Sequence, residues 1–564
     1  MKITFIPENK LIIANEQETI LQVARRVNIP IEATCSGQGT CGKCKVKILS
    51  GRASSLSKAE KELLTQEEYG NGTRLACKVY AKDDFIIERI NNKNVNVRKA
   101  VTTVLPEDFN LMPRYHQIKN TIAKYDNAKQ IEQSKEETQE KVDETCHYGI
   151  AFDIGTTSVV GLLWNLDTGE QRGIKSKVNP QRIYGADVIS RIQYSTQSIE
   201  NQKELQQLIV YCCEAIILEL IQIESIHLSK VCDVVVVGNT TMSHLFLGES
   251  VEGLARAPFQ SSYQGMVHMQ AYEIFKSMDK DARLIVLPNI AGHVGSDITA
   301  GLLASDIWSR KGNIIFIDIG TNGEIVFKNE NKVYACSTAA GPAFEGASIH
   351  EGMRAEEGAI EGVKIEGSRI TLEVIGGKEP IGICGSGLID AIAELLRIGV
   401  LDDTGRILEK ETLKLIGVKE DIIDHIIETD KGNHFILYQN DQRNIVLTQK
   451  DVREVQLAKA AIYAGIVTML KKASLEPKNI TELIVAGAFG NYIKKENAVR
   501  IGLLPEIPIN DIKLEGNTAS LGASMVLLSK KYEDELESHI NHIEHIDLAM
   551  DADFMEFYIE AMNF

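Results

Sequence analysis

Apolar and polar positions alternate from the start of the chain. Residues 2–6 and about 10–13 read as two strands of a hairpin. From Thr19-Ile20-Leu21-Gln22-Val23-Ala24 the spacing turns helical, with Glu18 and Thr19 at first-turn positions. Lys45-Val46-Lys47-Ile48-Leu49 returns to a strand pattern, and 75–79 and 85–90 add two more. The pattern then fades. Residues 91–99 are polar, and 118–144 are Lys, Glu, Gln and Asp with almost no apolar side chains, too little to cover a core. This stretch reads as a tether, partly disordered or a solvated helix. Near residue 149 the pattern sharpens. Residues 149–163 read as strand, Gly-Thr turn, strand, and 313–326 repeat the device. Residues 481–487 form another buried strand, this one ending in glycine. The last stretch, 531–564, is expected to be a mostly helical tail, with His539, His542 and His545 on a solvated helix face.

The composition is that of an ordinary globular chain: 564 residues, 44% hydrophobic and 25% charged. With 43 Gly and 12 Pro, collagen-like and wholly disordered readings are excluded. The formal net charge of -17 argues against a nucleic-acid partner. No run of 18 apolar residues marks a membrane span, and Met1 to Ile6 reads as a strand rather than a signal peptide. A cytoplasmic protein is therefore expected. The charge is uneven: residues 1–90 are net +3 and the remainder net -20, which gives the first domain a different surface from the rest.

Ten cysteines in this length are not a disulfide scaffold. Three fall within ten residues, as Cys35-Ser-Gly-Gln-Gly-Thr-Cys41-Gly-Lys-Cys44, and Cys77 follows 33 positions later. Four thiolates complete a two-iron, two-sulfur cluster. Gly37, Gly39 and Gly42 would let the backbone approach the bridging sulfides, since they carry no side chain. Zinc also accepts four thiolates, but its structural sites usually use two short Cys pairs. The other six cysteines sit mostly among apolar residues, as buried small hydrophobes do.

The two Gly-Thr turns carry the second chemistry. Gly155-Thr156-Thr157 and Gly320-Thr321-Asn322 offer backbone N–H and hydroxyl donors to phosphate oxygens. Asp153 and Asp318, each near the end of the preceding strand, can hold Mg²⁺ through water. Two copies imply duplicated halves closing on a nucleotide. Gly487 and Gly490 end the strand at 481–487, as close approach to a ribose and base requires. Gly385-Ser386-Gly387 opens a helix whose N-terminus can face a phosphate. Its plainer reading is ordinary helix-start geometry. No Gly-x-x-x-x-Gly-Lys-Ser/Thr is present, so phosphate recognition is not of the P-loop kind.

The residues around the cysteines resemble the beta-grasp ferredoxins over about 1–92. Five residues separate the first two ligands where the plant type has four, which matches the adrenodoxin-like and corrinoid-activator modules. Residues 147–530 resemble the acetate kinase, sugar kinase, heat-shock ATPase and actin superfamily. Asp153 to Thr157 and Asp318 to Glu324 look like its two phosphate motifs, and Val485 to Gly490 its adenosine motif. Val234 to Met242 looks like its first connecting element and Asn517 to Ala523 its second. The combination resembles the reductive activators of corrinoid proteins. Asn289 to Asp297, Ala340 to Gly346 and Gly382 to Asp390 are further family-like stretches.

The resemblance implies a ferredoxin-like domain (1–92), a linker (93–146), two lobes of a ribonuclease H-like, actin-like ATPase (147–310 and 311–530) and the tail. It implies one [2Fe-2S] cluster on Cys35, Cys41, Cys44 and Cys77, with ATP and Mg²⁺ in the cleft. Asp153 and Asp318 would orient Mg²⁺ and water; Glu345 is a candidate for positioning the attacking water, its plainer reading a structural carboxylate that receives backbone N–H groups. The implied activity is ATP-dependent one-electron reduction of a Co(II) corrinoid protein to Co(I) for methyl transfer. That protein would be a methyltransferase component or a corrinoid iron–sulfur protein, with an electron-donor protein or reductase upstream. A homodimer is implied by resemblance only. The alternatives are an activator of another low-potential enzyme, as for 2-hydroxyacyl-CoA dehydratases, a small-molecule kinase, and a redox or nucleotide sensor without catalysis.

Overall fold

The computed structural model describes residues 1–90, 104–114 and 147–564, apart from 8, 16, 28, 30, 32, 34–36, 41, 186, 431, 442, 488, 489 and 491. The N-terminal sheet contains β1 (Lys2–Ile6), β2 (Lys10–Ile13), β3 (Lys45–Ser50), β4 (Thr73–Leu75) and β5 (Phe85–Arg89), in the order β2-β1-β5-β3-β4. β1 and β5 pair in parallel while the hairpin β1-β2 is antiparallel. The helix Ile20–Arg26 lies against this sheet. Thr19 caps it by accepting from the Gln22 N–H, and Gln22 returns the bond to the Thr19 N–H. Its Ile20, Leu21, Val23 and Ala24 are buried with Phe5, Val46 and Phe85.

The remainder is built twice on one plan. The first sheet holds β6 (Tyr148–Ile154), β7 (Ser158–Asn165), β8 (Gln171–Val178), β9 (Val231–Gly238), β10 (Val267–Gln270) and β11 (Arg283–Val286). Its order is β10-β11-β9-β6-β7-β8. The second half contains β12 (Ile314–Ile319), β13 (Gly323–Lys328), β14 (Val333–Thr338), β15 (Ala359–Glu366), β16 (Arg369–Val374) and β17 (Gly382–Ile383). It continues with β18 (Ile426–Ile427), β19 (His434–Asn440), β20 (Arg443–Thr448), β21 (Glu482–Ala486), β22 (Ile512–Leu514) and β23 (Ile543–His545). Its main sheet has the order β22-β21-β12-β13-β14-β23. In each half an antiparallel meander (β6-β7-β8, β12-β13-β14) is followed by a strand returning parallel to its first member (β9, β21). The expected duplicated, actin-like α/β ATPase fold is present.

Long helices cover the outer faces: Ile199–Ile223 on the first sheet and Gln449–Lys472 on the second. The helix Ile199–Ile223 is long and apolar enough to cross a membrane by length and composition. Here Leu205, Ile209, Cys213, Ile216 and Leu220 face the first core.

Between the sheets lie the helices Ser296–Ala304 and Thr518–Leu528. Ala300 and Leu303 belong to the first half's core, whereas Ile298 and Leu302 belong to the second's. The two helices approach closely because Gly522 has no side chain; a Cβ there would lie 2.0 Å from the Ala300 carbonyl oxygen. The first connecting element is therefore Ser296–Ala304 and not 234–242. The latter forms β9 and the start of helix Thr240–Leu247, whose Met242, Leu245 and Phe246 fill the first half's core.

Two further expectations need correction. Residues 104–114, assigned to the linker, pack on the ATPase half: Leu105, Phe109 and Leu111 join its apolar cluster, and Phe109 stacks on Tyr532 at 5.4 Å. The more polar stretch 115–146 lies outside the described residues. The tail also does more than form helix. Its β23 pairs in parallel with β14, His539 stacks on Trp308 at 4.5 Å, and His545 sits in the strand, so the three histidines do not share a helix face.

Arg114 pins this packed segment. Its guanidinium donates to Asp233 (3.1 Å), Glu533 (2.7 Å) and the Val526 carbonyl (2.8 Å), all buried. Removing one partner of a buried ion pair strands the others and typically costs about 3–5 kcal/mol. Arg114→Ala is expected to lower the unfolding transition of the ATPase half by several degrees. An unchanged thermal or urea midpoint for that half would contradict this.

Candidate functional site

Two regions carry chemistry. In the N-terminal domain, the buried Arg74 forks onto the buried Glu60 through bonds of 2.8 and 3.1 Å. Glu60 also accepts the Leu75 N–H, which fixes the exit of β4. The Ala76 N–H then donates to the Cys44 carbonyl at 2.8 Å. Cys44 and Cys77 are thereby brought together, with Sγ atoms 3.3 Å apart, both buried. That separation is far beyond the ~2.05 Å of a disulfide. Gly37, Gly39 and Gly42 all adopt positive φ (94°, 84° and 68°), and a Cβ on Gly39 would lie 2.1 Å from Lys78 Cε. Two converging buried thiols beside a segment with three glycines at positive φ fit a thiolate-held cluster. Cys35 and Cys41 lie outside the described residues.

The second region lies where the two halves meet. Asp153 comes near the end of β6, and its Oδ2 accepts from Asn517 Nδ2 (2.9 Å) and Ser520 Oγ (3.2 Å) at the start of helix Thr518–Leu528. Asp318 holds the matching place on β12 and faces Glu324 across the β12-β13 hairpin. The two turns close alike, Gly155 N–H to the Ser158 carbonyl and Gly320 N–H to the Asn322 carbonyl, both 2.9 Å. A third carboxylate enters from Asp297 in the first turn of helix Ser296–Ala304. That helix is locked in place by Ser296, whose Oγ donates to the Gly238 carbonyl and accepts its N–H (2.9 and 3.0 Å). Asn239, next to Gly238, donates to Thr156 Oγ1 at 2.9 Å.

Asp297, Asp318 and Glu324 are half-buried, as groups lining a cleft are. Burial, then the charges of Asp318 and Asp153, push the Asp297 carboxyl up to about 8. Burial, then Asp297 and Asp318, push Glu324 well above the usual carboxylate range. Four acids of two homologous hairpins and one connecting helix thus share one electrostatic neighbourhood. Among the described residues no three His, Cys, Asp or Glu side chains converge tightly enough to hold a metal directly. The donor set suits a hard cation bound largely through water and phosphate, as Mg²⁺ is. Asp297 and Glu324 were quoted in family-like stretches without a role. Their signal was an acid just inside a helix start and another directly across the hairpin from Asp318.

The Asp297 shift has a consequence for stability. The folded chain keeps this proton where the unfolded chain, with an ordinary Asp, releases it. From about pH 4 to 8 the group's contribution to stability therefore falls as pH rises. Without nucleotide, Asp297→Asn should raise the melting temperature, by little near pH 4 and by a few degrees at pH 8. A gain that shrinks with rising pH would refute the assignment.

The remaining predicted residues are placed as follows. Gly487 follows β21 at φ +82°, and a Cβ there would lie 2.3 Å from Asp318 Oδ1, so it borders the carboxylate itself. Gly490 donates to the Gly487 carbonyl at 3.1 Å, and its absent side chain makes room for the Val485 carbonyl. Gly385, Ser386 and Gly387 open the helix Gly385–Arg397 and are buried. A Cβ on Gly387 would lie 2.2 Å from the Ile360 carbonyl oxygen, which explains that glycine by helix–strand packing. Glu345 ends the short 3₁₀ turn Ala343–Glu345 and is exposed.

Comparison with known proteins agrees with both regions. Residues 4–82 match the 2Fe-2S iron-sulfur cluster binding domain, 148–310 the RACo middle region, and 312–564 the C-terminal domain of RACo, the ASKHA domain. The chain is 32% identical to the corrinoid activation enzyme RamQ of Eubacterium limosum, over 99% of this chain and 98% of that one. It is 25% identical to the [Co(II) methylated amine-specific corrinoid protein] reductase of Methanosarcina barkeri, over 74% and 77%. The solved structure of a reductive activator for corrinoid, iron-sulfur protein superposes with a TM-score of 0.68 at 30% identity, covering 100% of this chain and 98% of that one. With a cysteine-bearing ferredoxin fold joined to a duplicated cleft of this kind, and a relative matched from end to end, the chain belongs to the family of reductive activators of corrinoid proteins.

Proposed function

We infer that this protein activates a corrinoid protein reductively, taking its inactive Co(II) to Co(I) by one electron at the expense of ATP. The observation that carries this reading is the pairing, within one chain, of the Cys44–Cys77 thiol site with a nucleotide-type cleft, in the same order and extent as in the corrinoid activators. Reducing Co(II) is uphill for ordinary reductants, and each 100 mV of deficit costs about 2.3 kcal/mol per electron. A [2Fe-2S] group, when bound, supplies single electrons.

Each region has a distinct task. Cys35, Cys41, Cys44 and Cys77 would hold the cluster, and the glycine loop would keep side chains off it. In the cleft, the turns at Gly155, Thr156 and Thr157 and at Gly320, Thr321 and Asn322 would bind phosphate oxygens through N–H and hydroxyl groups. Asp153 and Asp318 would hold Mg²⁺ through water, beside the protonated carboxyls of Asp297 and Glu324. Gly487 and Gly490 would seat the adenosine, and Gly385, Ser386 and Gly387 would offer a helix N-terminus to a phosphate. Glu345 is the proposed positioner of the attacking water. Nucleotide binding between the halves would favour one arrangement of the helices Ser296–Ala304 and Thr518–Leu528 over another, which is how hydrolysis is coupled to the partner. An electron-donor protein or reductase would recharge the N-terminal domain.

The test is an anaerobic absorbance assay with this protein, a Co(II) corrinoid protein, a low-potential reductant, and Mg-ATP or no nucleotide. The Co(II) band should fall and the Co(I) band rise only when both activator and ATP are present. Failure across a panel of corrinoid partners, with the cluster intact and ATP bound, would overturn the reading.

A further inference from the structure

Arg191 is fully buried on helix Val188–Ser195, directly behind the first Gly-Thr turn, and among the described residues no carboxylate bonds to it. Its Nε donates to the Gly185 carbonyl (3.0 Å), one Nη to Gln181 Oε1 (3.2 Å) and Met242 Sδ (3.0 Å), and the other Nη to the Thr156 carbonyl. The nearby acid, Asp187, is engaged in capping the helix, accepting from the Ser190 N–H (2.7 Å) and Oγ (3.0 Å). Arg182 adds a like charge, and burial pushes the guanidinium down to about 9. A buried cation without a counter-charge is costly, and proteins seldom keep one unless something anionic completes it.

The backbone in front of it shows where that anion would sit. Asn179 Nδ2 donates to the Gly155 carbonyl and the Asn179 N–H to the Thr157 carbonyl, both at 2.9 Å. With Arg191 on the Thr156 carbonyl, three successive carbonyls of the turn are held from behind. In a trans peptide the next residue's N–H points opposite to the carbonyl. The Thr157 N–H therefore points away from Arg191 and the Thr156 N–H away from Asn179, and among the described residues neither has an acceptor. Thr156 Oγ1 already accepts from Asn239, which leaves its own proton to donate.

We propose that Arg191 is a positioning residue for the phosphate end of the nucleotide: it clamps the Thr156 carbonyl so that the turn presents donors alone, and an anionic phosphate in the turn adds to Asp187 the counter-charge that no bonded carboxylate supplies. This rests on the ATP-binding reading given above. Arg191 does not touch the nucleotide; it acts through the Gly155-Thr156-Thr157 backbone.

The inference separates phosphate recognition from adenosine recognition, which a merely structural role would not do. Full-length protein is titrated with ATP and with adenosine, and melted with and without each. Arg191→Met should weaken ATP binding by about ten-fold or more, the scale of a lost charge-assisted bond, and leave adenosine affinity unchanged. Its melting temperature without ligand should change little, because the buried charge goes while the Gly185 and Thr156 carbonyls and Gln181 lose their donor. Arg191→Lys keeps the cation but not the fork, should lie between the two, and serves as the test if Arg191→Met does not fold. Equal losses for ATP and adenosine, or no loss for ATP, would overturn the inference. Failure of the unsubstituted protein to bind ATP would instead sink the nucleotide reading on which it rests.

Discussion

Replacing Cys77 by Ala should abolish Co(I) formation while leaving ATP binding intact. Cys77 lies in the N-terminal core with its Sγ 3.3 Å from that of Cys44, and the Arg74–Glu60 fork sets the strand that delivers it. If the pair were simply buried small hydrophobes, removing one sulfur would cost little beyond packing. If the pair holds a cluster, the variant loses the visible absorbance, the iron and the acid-labile sulfide together. Its activation rate then drops to that of the no-activator control. Cys336 supplies the contrast. It is also fully buried, but on β14 of the second half, where burial pushes its thiol up and no other cysteine belongs to its core cluster. Cys336→Ala should keep both the chromophore and electron transfer. Full iron content in Cys77→Ala would refute the ligand assignment. Loss of the chromophore with activity retained would refute the electron route.

What the sequence conveyed depended on how local each signal was. The hairpins at 149–163 and 313–326 were legible because strand, glycine turn and acid are contiguous. The thiol site was legible for the same reason, since three of its cysteines fall within ten residues. Asp297 was not, because its role arises only when helix Ser296–Ala304 crosses from one sheet to the other, a crossing fixed by Gly522 passing the Ala300 carbonyl. The connecting element was misplaced for a related reason. Val234 to Met242 carries a strand–turn–helix pattern, and nothing in that pattern tells a helix that stays in its own half from one that crosses. Residues 104–114 were lost in a polar linker because Leu105, Phe109 and Leu111 are too sparse to show a period. Their anchor, Arg114, finds its acids 119 and 419 positions away. β23 was missed because a three-residue edge strand in a charged tail has no periodicity to detect.

Asp318→Asn is expected to stop ATP turnover while preserving most nucleotide affinity. Asp318 stands against Gly487 on one side and Glu324 on the other, in the half of the cleft that the adenosine-type strand β21 enters. Its like charge helps hold the Asp297 and Glu324 carboxyls above their ordinary range. Removing that charge should ease the repulsion, so the ligand-free protein should melt no lower than before. On the proposed reading Mg-ATP would be bound by the donors of both turns, and loss of one water-mediated acid should change its affinity only several-fold. Turnover is different, because charge develops on the phosphoryl group where the cation and its water must be held in line. Loss of one such positioned group typically costs about 10²-fold or more in rate. The pattern to look for is a fall in kcat of that size with KM little changed, which marks an interaction made mainly in the transition state. In the coupled assay the same variant should accept an electron into its N-terminal domain and still fail to produce Co(I). If Co(I) appeared at the normal rate without hydrolysis, nucleotide binding alone would drive the partner and hydrolysis would serve only to reset it. If the N-terminal domain itself could no longer be reduced, the two regions would be coupled more tightly than a chain with a polar connecting stretch implies, and the division of labour between thiol site and cleft would have to be abandoned.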